Sequence, residues 1–280
     1  MDFTLPPTFS SAVAEQLTKA CVVLERHLAH TLQAVHLYGS AVDGGLKPAS
    51  DLDLLVTVDA PLAEPVRMAL MSELLSVSAP PGEPLRALEV TVVVKTDVQP
   101  WRYPPRRELQ FGEWLRDDVR AGKIELAQFD PDLAILLSKA RQHSFCLLGV
   151  PATAWFEPVP KADLATAFAD TLAQWNTPAD WQGDELTVVL ALARIWFSVE
   201  TGTIAPKDIA AAWVLERLPP VQRAVLGQAR DAYLGKATDN LADNLDQVTA
   251  FVHYCKARIE RSMSSPDNSP PSIGPMVTDL

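Results

Sequence analysis

The stretch DLDLLVTV at residues 51–58 constrains this chain more than any other segment. Side chains alternate between the two faces of a strand, so Leu52, Leu54, Val56 and Val58 share an apolar face while Asp51 and Asp53 project together from the other. Such a segment has to lie in a sheet with a core beneath it. Its start also has to accommodate two carboxylates side by side.

The elements around it alternate. Apolar residues Val13, Leu17, Val22, Leu24 and Leu28 recur at roughly helical spacing from Ser10 to about Leu32, with Ser10 or Ser11 available as a cap. Ala34 to Leu37 is a short apolar run that stops at Gly39-Ser40, and the loop DGGLKPAS leads into the strand. A helix over about Pro65 to Ser76 and a β-rich run from Ala87 to Lys95, ALEVTVVVK, follow. Alternation of this kind argues for an α/β arrangement in the N-terminal part. Beyond the proline-broken PWRYPPRR, almost everything after Glu108 reads as helix, with helical spacing in Leu133–Leu137, Leu164–Trp175, Val188–Val199, Ile209–Leu218 and Leu245–Ile259. The prolines of FEPVP, Phe156 to Pro160, mark a boundary. The sequence therefore divides into residues 1–157, a helical part at 158–262, and a Ser/Pro-rich tail at 263–280 that is too poor in large apolar side chains to order itself.

Charge narrows the partners. A net charge of −11 with no Lys/Arg cluster repels nucleic acid and favours a cationic small molecule. Cys21, Cys146 and Cys255 are far apart and match buried thiols in a reducing compartment. The start MDFTLPPTFS has neither the positive end nor the apolar run of a signal peptide, and no eighteen apolar residues are consecutive, so the chain is expected in the cytoplasm and away from membranes.

Chemistry concentrates at three acids. Asp51 and Asp53 repel each other unless a divalent cation lies between them, and hard oxygen ligands suit Mg²⁺. In ALEVTVVV, Leu88, Val90, Val92 and Val94 form an apolar face and Glu89 stands opposite, so pairing of the two strands would bring Glu89 to the aspartates. Three acids can hold a metal against phosphate and take a proton from an attacking hydroxyl. Gly39-Ser40 offers a close backbone approach and a hydroxyl for a phosphate tail, and Ser50 adds a second hydroxyl. Alone, Gly-Ser is an ordinary turn, Asp-x-Asp a solvated strand end and Glu89 a polar residue on an exposed sheet face. Their ordered combination is far more specific.

Gly39-Ser40, Asp51-x-Asp53 and an acid on a following strand resemble the signature of nucleotidyltransferases with the fold of DNA polymerase beta. The longer strings HLYGSAVDGGLKPASDLDLLVTV, RALEVTVVV, PWRYP, RELQFGEWLRDD, DPDLAILL, GDELTVVLALARIW and APKDIAAAW resemble the aminoglycoside (3″)(9) adenylyltransferases, which modify streptomycin and spectinomycin. The resemblance runs from about Leu28 to about Tyr254. It implies an α+β protein: an N-terminal polymerase-beta-like domain with a small mixed sheet and a C-terminal α-helical bundle, with ATP and drug between them. It also implies that Ser40, Ser50 and Asp51 contact the ATP phosphates, Asp51, Asp53 and Glu89 hold Mg²⁺, and Glu89 is the base. Asp132, Arg194, Lys207 and Tyr233 would reach the nucleotide, and Trp114, Asp180 and Asp184, with Glu89, would line the drug site. Thr187 stands where some relatives carry histidine. The remaining tryptophans singled out, Trp155, Trp175, Trp196 and Trp213, read as core.

The reaction so implied is AMP transfer from Mg·ATP to a hydroxyl of an aminoglycoside or aminocyclitol by a monomeric enzyme, conferring resistance. A nucleotidyltransferase acting on a protein or another small molecule is the rival within the same chemistry. A non-catalytic nucleotide-binding regulator would have little use for all three acids.

Overall fold

In the computed structural model, residues 3–6 and 9–264 are described. The expected tail, 263–280, lies outside those residues except for Met263 and Ser264, which close the last helix.

Seven strands are present among the described residues: β1 (Leu32–Tyr38), β2 (Leu52–Val58), β3 (Leu88–Val94), β4 (Arg106–Arg107), β5 (Leu109–Phe111), β6 (Gln128–Phe129) and β7 (Ser144–Leu148). The helices are α1 (Ser11–Leu28), α2 (Glu64–Leu74), α3 (Lys95–Val98), α4 (Arg116–Arg120), α5 (Asp132–Gln142), α6 (Ala152–Trp155), α7 (Lys161–Ala173), α8 (Glu185–Thr201), α9 (Lys207–Leu215), α10 (Pro220–Tyr233) and α11 (Leu245–Ser264). The described residues group into two compact units, one up to residue 173 together with 233–238 and one of 174–232 together with 239–264.

The first unit is built on a five-stranded mixed sheet in the order β5-β3-β2-β1-β7, with β2 and β3 parallel and the other neighbours antiparallel. The alternation read from the sequence sets its two faces. Leu52, Leu54, Val56 and Val58 join Leu88, Val90, Val92 and Val94 beneath Leu17, Leu24 and Leu28 of α1 and Leu70, Met71 and Leu74 of α2. On the opposite face Tyr38, Leu55 and Val93 pack against Leu133, Leu137 and Ala140 of α5. Beyond its first residues β2 is therefore buried on both sides, as the central strand of a covered sheet must be. Burying Leu52, Leu54, Leu55, Val56 and Val58 completely stabilises the strand by about 1.5–3 kcal/mol per side chain, as an upper estimate.

Ser10 caps α1, accepting from the Val13 N–H, and α1 stops at Leu28, four residues short of the expected end, because Leu32 already enters the sheet. The larger departure is β7. The chain after Glu108 was expected to be almost wholly helical, yet β5 and β7 form the two edges of the main sheet and β4 pairs with β6 in a small ribbon. Ser144–Leu148 follows α5 after a single residue, and its register against β1 supplies the ordering that its local sequence does not announce.

The second unit is helical. α8 packs against α11 and α9, with Val188, Val189, Leu192, Ala193, Ile195 and Trp196 of α8 buried beside Val248, Phe251, Val252, Cys255 and Ile259 of α11. The 248, 251, 252, 255, 259 spacing is one stripe of a 3.6-residue helix. Trp196 donates from its indole N–H to Glu200, which also pairs with Arg258 at 2.7 Å. α10, absent from the helices expected, belongs to this unit except for its last residue, Tyr233.

The tryptophan reading needs correction. Of the four taken as core, Trp196 alone is fully buried, whereas Trp155, Trp175 and Trp213 remain partly exposed. Trp155 lies under the Lys95 ammonium and Trp213 stacks on the Arg217 guanidinium, so an aromatic face serves a cation in both places. Trp181 is fully buried as well, edge-on to His253. All three cysteines are free thiols, Cys21 and Cys255 buried and Cys146 partly so.

Candidate active site

The parallel register of β2 and β3 places Asp53 directly opposite Glu89, and the antiparallel register of β1 places Tyr38 opposite Asp53. Residues paired across a sheet point to the same face, so Tyr38, Asp53 and Glu89 form one row at the end of the sheet, on the side of α5. Asp51 precedes β2 by one residue and reaches the same neighbourhood, since its charge acts on Glu89. The three acids thus gather as the alternation required.

Crowding has an electrostatic consequence. The Glu89 carboxyl is pushed up to about 7, first by burial and then by the charges of Asp53 and Asp51, while Lys139 and a hydrogen bond from Gln110 pull in the opposite direction. Lys139 sits with its ammonium 5.3 Å from the centre of the Tyr38 ring. It stands on α5 two turns after Asp132 and so on the same helix face. Nothing in DPDLAILLSKAR marked Lys139 beforehand. Only the packing of α5 on β1 brings it to the acids.

The chain before Asp51 is shaped around it. Gly39 takes a left-handed φ of +73°, and a Cβ there would lie 1.8 Å from Asp53 Oδ2, so glycine is required twice over. Gly39–Ala41 is a single 3₁₀ turn that starts where β1 stops, which puts Ser40 beside the acid row. Ser50 Oγ accepts from the Lys47 N–H at 2.9 Å, leaving its O–H as a donor. Arg86 closes this loop from behind, donating to the Lys47 and Ser50 carbonyls. Gly39→Ala should lose about 1–2 kcal/mol of stability from the left-handed backbone and displace the Asp53 carboxylate, with turnover falling about tenfold or more. A thermal melt and a rate measurement check this, and wild-type values for both would contradict the close approach.

Asp132 opens α5 and accepts from the Thr171 hydroxyl at 2.6 Å, while Asp130 Oδ1 accepts from the Asp132 N–H at 3.0 Å. Trp114 follows the β5 edge strand, in a turn that begins at Gly112 immediately after Phe111, the partner of Val90. The turn therefore starts beside Glu89. A Cβ on Gly112 would fall within 2.2 Å of the indole, so glycine lets the ring fold back on the chain. The indole is 61% exposed, too open for a packing role. Tyr233 lies with residues 234–238 in the first unit.

Arg194 on α8, Lys207 at the start of α9, Asp180 and Asp184 belong to the second unit. Asp180 Oδ2 accepts from the N–H groups of Asn176 and Thr177 and from the Thr177 hydroxyl, and these bonds, the Thr177 N–H foremost, hold its carboxyl below the usual range. Asp184 is exposed at the N-cap of α8, three residues before the equally exposed Thr187.

The donor set suits a divalent cation of the Mg²⁺ type. Its atoms are hard carboxylate oxygens, and the charge crowding that raises Glu89 is the kind a cation relieves. Among the described residues no group of three or more His, Cys, Asp or Glu side chains is disposed to hold a metal ion by itself. Mg²⁺ in phosphate-transfer sites usually takes one or two carboxylates and completes its shell with waters and substrate oxygens, so an open set is the form to be expected. No helix among the described residues is long and apolar enough to cross a membrane.

Comparison with known proteins gives the family. Residues 22–135 match the nucleotidyltransferase domain, and residues 154–258 match the aminoglycoside adenylyltransferase C-terminal domain. The aminoglycoside (3″)(9) adenylyltransferase of Escherichia coli is 58% identical over 251 residues, covering 89% of this chain and 95% of that protein. The spectinomycin 9-adenylyltransferase of Staphylococcus aureus strain N315 is 37% identical over 254 residues, covering 90% and 97%. A crystal structure of the spectinomycin adenyltransferase of Enterococcus faecialis with ATP and spectinomycin superposes with a TM-score of 0.82 at 31% identity, over 88% of this chain and 99% of that one. With a nucleotidyltransferase sheet, a helical C-terminal region and identity of this extent along nearly its whole length, the chain belongs to the aminoglycoside (3″)(9) adenylyltransferase family of nucleotidyltransferases.

Proposed function

We propose that this enzyme transfers AMP from Mg·ATP to the 3″-hydroxyl of streptomycin and the 9-hydroxyl of spectinomycin, releases pyrophosphate, and so confers resistance to both drugs in the cytoplasm as a monomer. The observation that carries the reading is the Asp53–Glu89 register pair with Asp51 beside it. Asp51 and Asp53, with Glu89, would hold Mg²⁺, which supplies positive charge to the phosphate oxygens. Glu89 accepts the proton of the attacking drug hydroxyl, the work of a carboxylate positioned beside the reacting group. Ser40 and Ser50 donate to the phosphates. Arg194 and Lys207 hold the charge that grows on the leaving pyrophosphate, and Asp132 and Tyr233 fix the rest of the nucleotide. No covalent intermediate is required, and positioning and electrostatics do the catalysis. In this reading residues 1–157 carry the chemistry and residues 158–262 contribute groups for drug and nucleotide.

Asp180, Asp184, Glu89 and Trp114 suit a cationic drug, since carboxylates pair with guanidinium or ammonium groups and an indole face attracts them. Streptomycin, the longer molecule, should use Trp114 and Asp180, while compact spectinomycin sits close to Glu89 and Asp184. A charge-assisted contact contributes about 1.5–3 kcal/mol, roughly ten- to a hundredfold in specificity. Asp180→Asn and Trp114→Ala should therefore lower kcat/KM for streptomycin by that factor and disturb spectinomycin much less. Equal losses for both drugs would mean that Asp180 serves only the turn it closes at Thr177 and that this division of the drug site is wrong.

Pyrophosphate release from Mg·ATP, measured with streptomycin, spectinomycin, kanamycin or no drug, tests the whole proposal. Release should rise with streptomycin and with spectinomycin and stay at background without drug. Release that ignores both drugs would favour a protein or another small molecule as acceptor.

A further inference from the structure

Gln110 lies on β5 directly opposite Thr91 of β3, almost wholly buried, between the proposed base and two donors. Its Oε1 accepts from the Thr91 hydroxyl at 3.0 Å and from an Arg107 guanidinium N–H at 3.2 Å, and its amide N–H donates to Glu89 Oε1 at 3.2 Å. The chemistry of the neighbours leaves one orientation. Arginine has only donors and so requires the amide oxygen, whereas an ionised carboxylate has only acceptors and so requires the amide N–H. A flipped amide would set oxygen against carboxylate and N–H against guanidinium.

Arg107 extends the same chain of contacts. It pairs with Asp130 at 3.1 Å, and Asp130 in turn receives the Asp132 N–H at the start of α5. The strand that carries Gln110 is fixed from the other side, where buried Glu108 binds the Arg67 guanidinium at 2.5 Å and the Leu62 N–H at 2.8 Å.

We propose that Gln110 is a positioning residue for AMP transfer: its amide, oriented by Thr91 and Arg107, holds one oxygen of Glu89 so that the other faces the attacking hydroxyl. The inference rests on the reading of Glu89 as the base. A carboxylate fixed at one oxygen by a buried donor keeps its second oxygen in a single place, and misplacement of a reacting group by about 1 Å can cost about a hundredfold in rate.

The test uses the full-length enzyme and kcat and KM for ATP and for spectinomycin. Gln110→Glu keeps the size of the side chain and removes the N–H. Its kcat should fall about ten- to a hundredfold with both KM values within about twofold of wild type. Thr91→Val keeps the shape of the buried threonine and removes one of the two donors that hold the amide oxygen, with an expected loss of about three- to tenfold in kcat. Combined with Gln110→Glu it should add nothing, because both changes break one chain of contacts. Melting temperatures are read alongside. Should Gln110→Glu fold poorly, Thr91→Val with its KM-against-kcat split still decides. Wild-type kcat in a well-folded Gln110→Glu or Thr91→Val, or losses in the pair that multiply, would overturn the proposal. Glu89→Gln belongs in the same series. If it is inactive while Gln110→Glu is fully active, the positioning inference fails alone, and if Glu89→Gln turns over normally, both readings fall.

Discussion

Replacing Asp53 by asparagine should lower AMP transfer by about a thousandfold or more, several kcal/mol of transition-state stabilisation, and leave the protein folded. Asp53 stands at the centre of the acid row, opposite Tyr38 on one strand and Glu89 on the other, where its charge helps to raise the Glu89 carboxyl. Asparagine keeps the shape and removes the negative charge that would hold a divalent cation against the phosphates. The strand itself is held by the fully buried Leu52, Leu54, Leu55, Val56 and Val58, none of which changes. The melting temperature should therefore stay level or rise slightly as the crowding eases. Single-turnover kinetics at saturating Mg·ATP and drug give the answer, and near-wild-type turnover would remove the metal assignment.

Glu89→Gln should separate binding from chemistry. A base is needed only when the hydroxyl attacks, so calorimetry should still register ATP and drug while the rate falls about a hundred- to ten-thousandfold. The same substitution has a signature in stability. Folding raises this carboxyl from 4.5 to about 7, mainly by burial, so the folded protein holds the proton more tightly than the unfolded chain. The stability this confers is complete below about 4.5 and is lost as pH rises through about 7. Without metal, the wild-type protein should lose melting temperature across that window more steeply than Glu89→Gln, and at pH 8 the variant should be the more stable of the two. Parallel melting curves would show that Glu89 ionises freely in the fold.

The acid row was legible in the sequence because strand alternation is local: the spacing of Asp51, Asp53 and the leucines fixes which side chains share a face, and only the pairing of β2 with β3 had to be supplied. Gly39-Ser40 was legible for the same reason, although the clash that forbids a Cβ at Gly39 involves a residue on another strand. Lys139, Gln110, Arg86 and Arg107 were not legible. Each enters the site through a contact between elements distant in sequence, and a lysine on a helix or a glutamine on a short strand announces nothing alone. β7 escaped because five residues directly after a helix carry too few alternations to be told from its continuation. Trp213 was misread because apolar spacing cannot distinguish a ring packed in a core from a ring with a cation on its face, whereas Trp155 packs on the core and carries a cation as well.

The central claim is that a drug hydroxyl is the acceptor of AMP, and mass spectrometry of the reaction products tests it most directly. After incubation of enzyme and Mg·ATP with streptomycin or spectinomycin, each drug should gain one adenylate group, matched by one pyrophosphate released, and neither product should form with Asp53→Asn. Unmodified drug together with an adenylylated protein or another adenylylated compound would contradict the account.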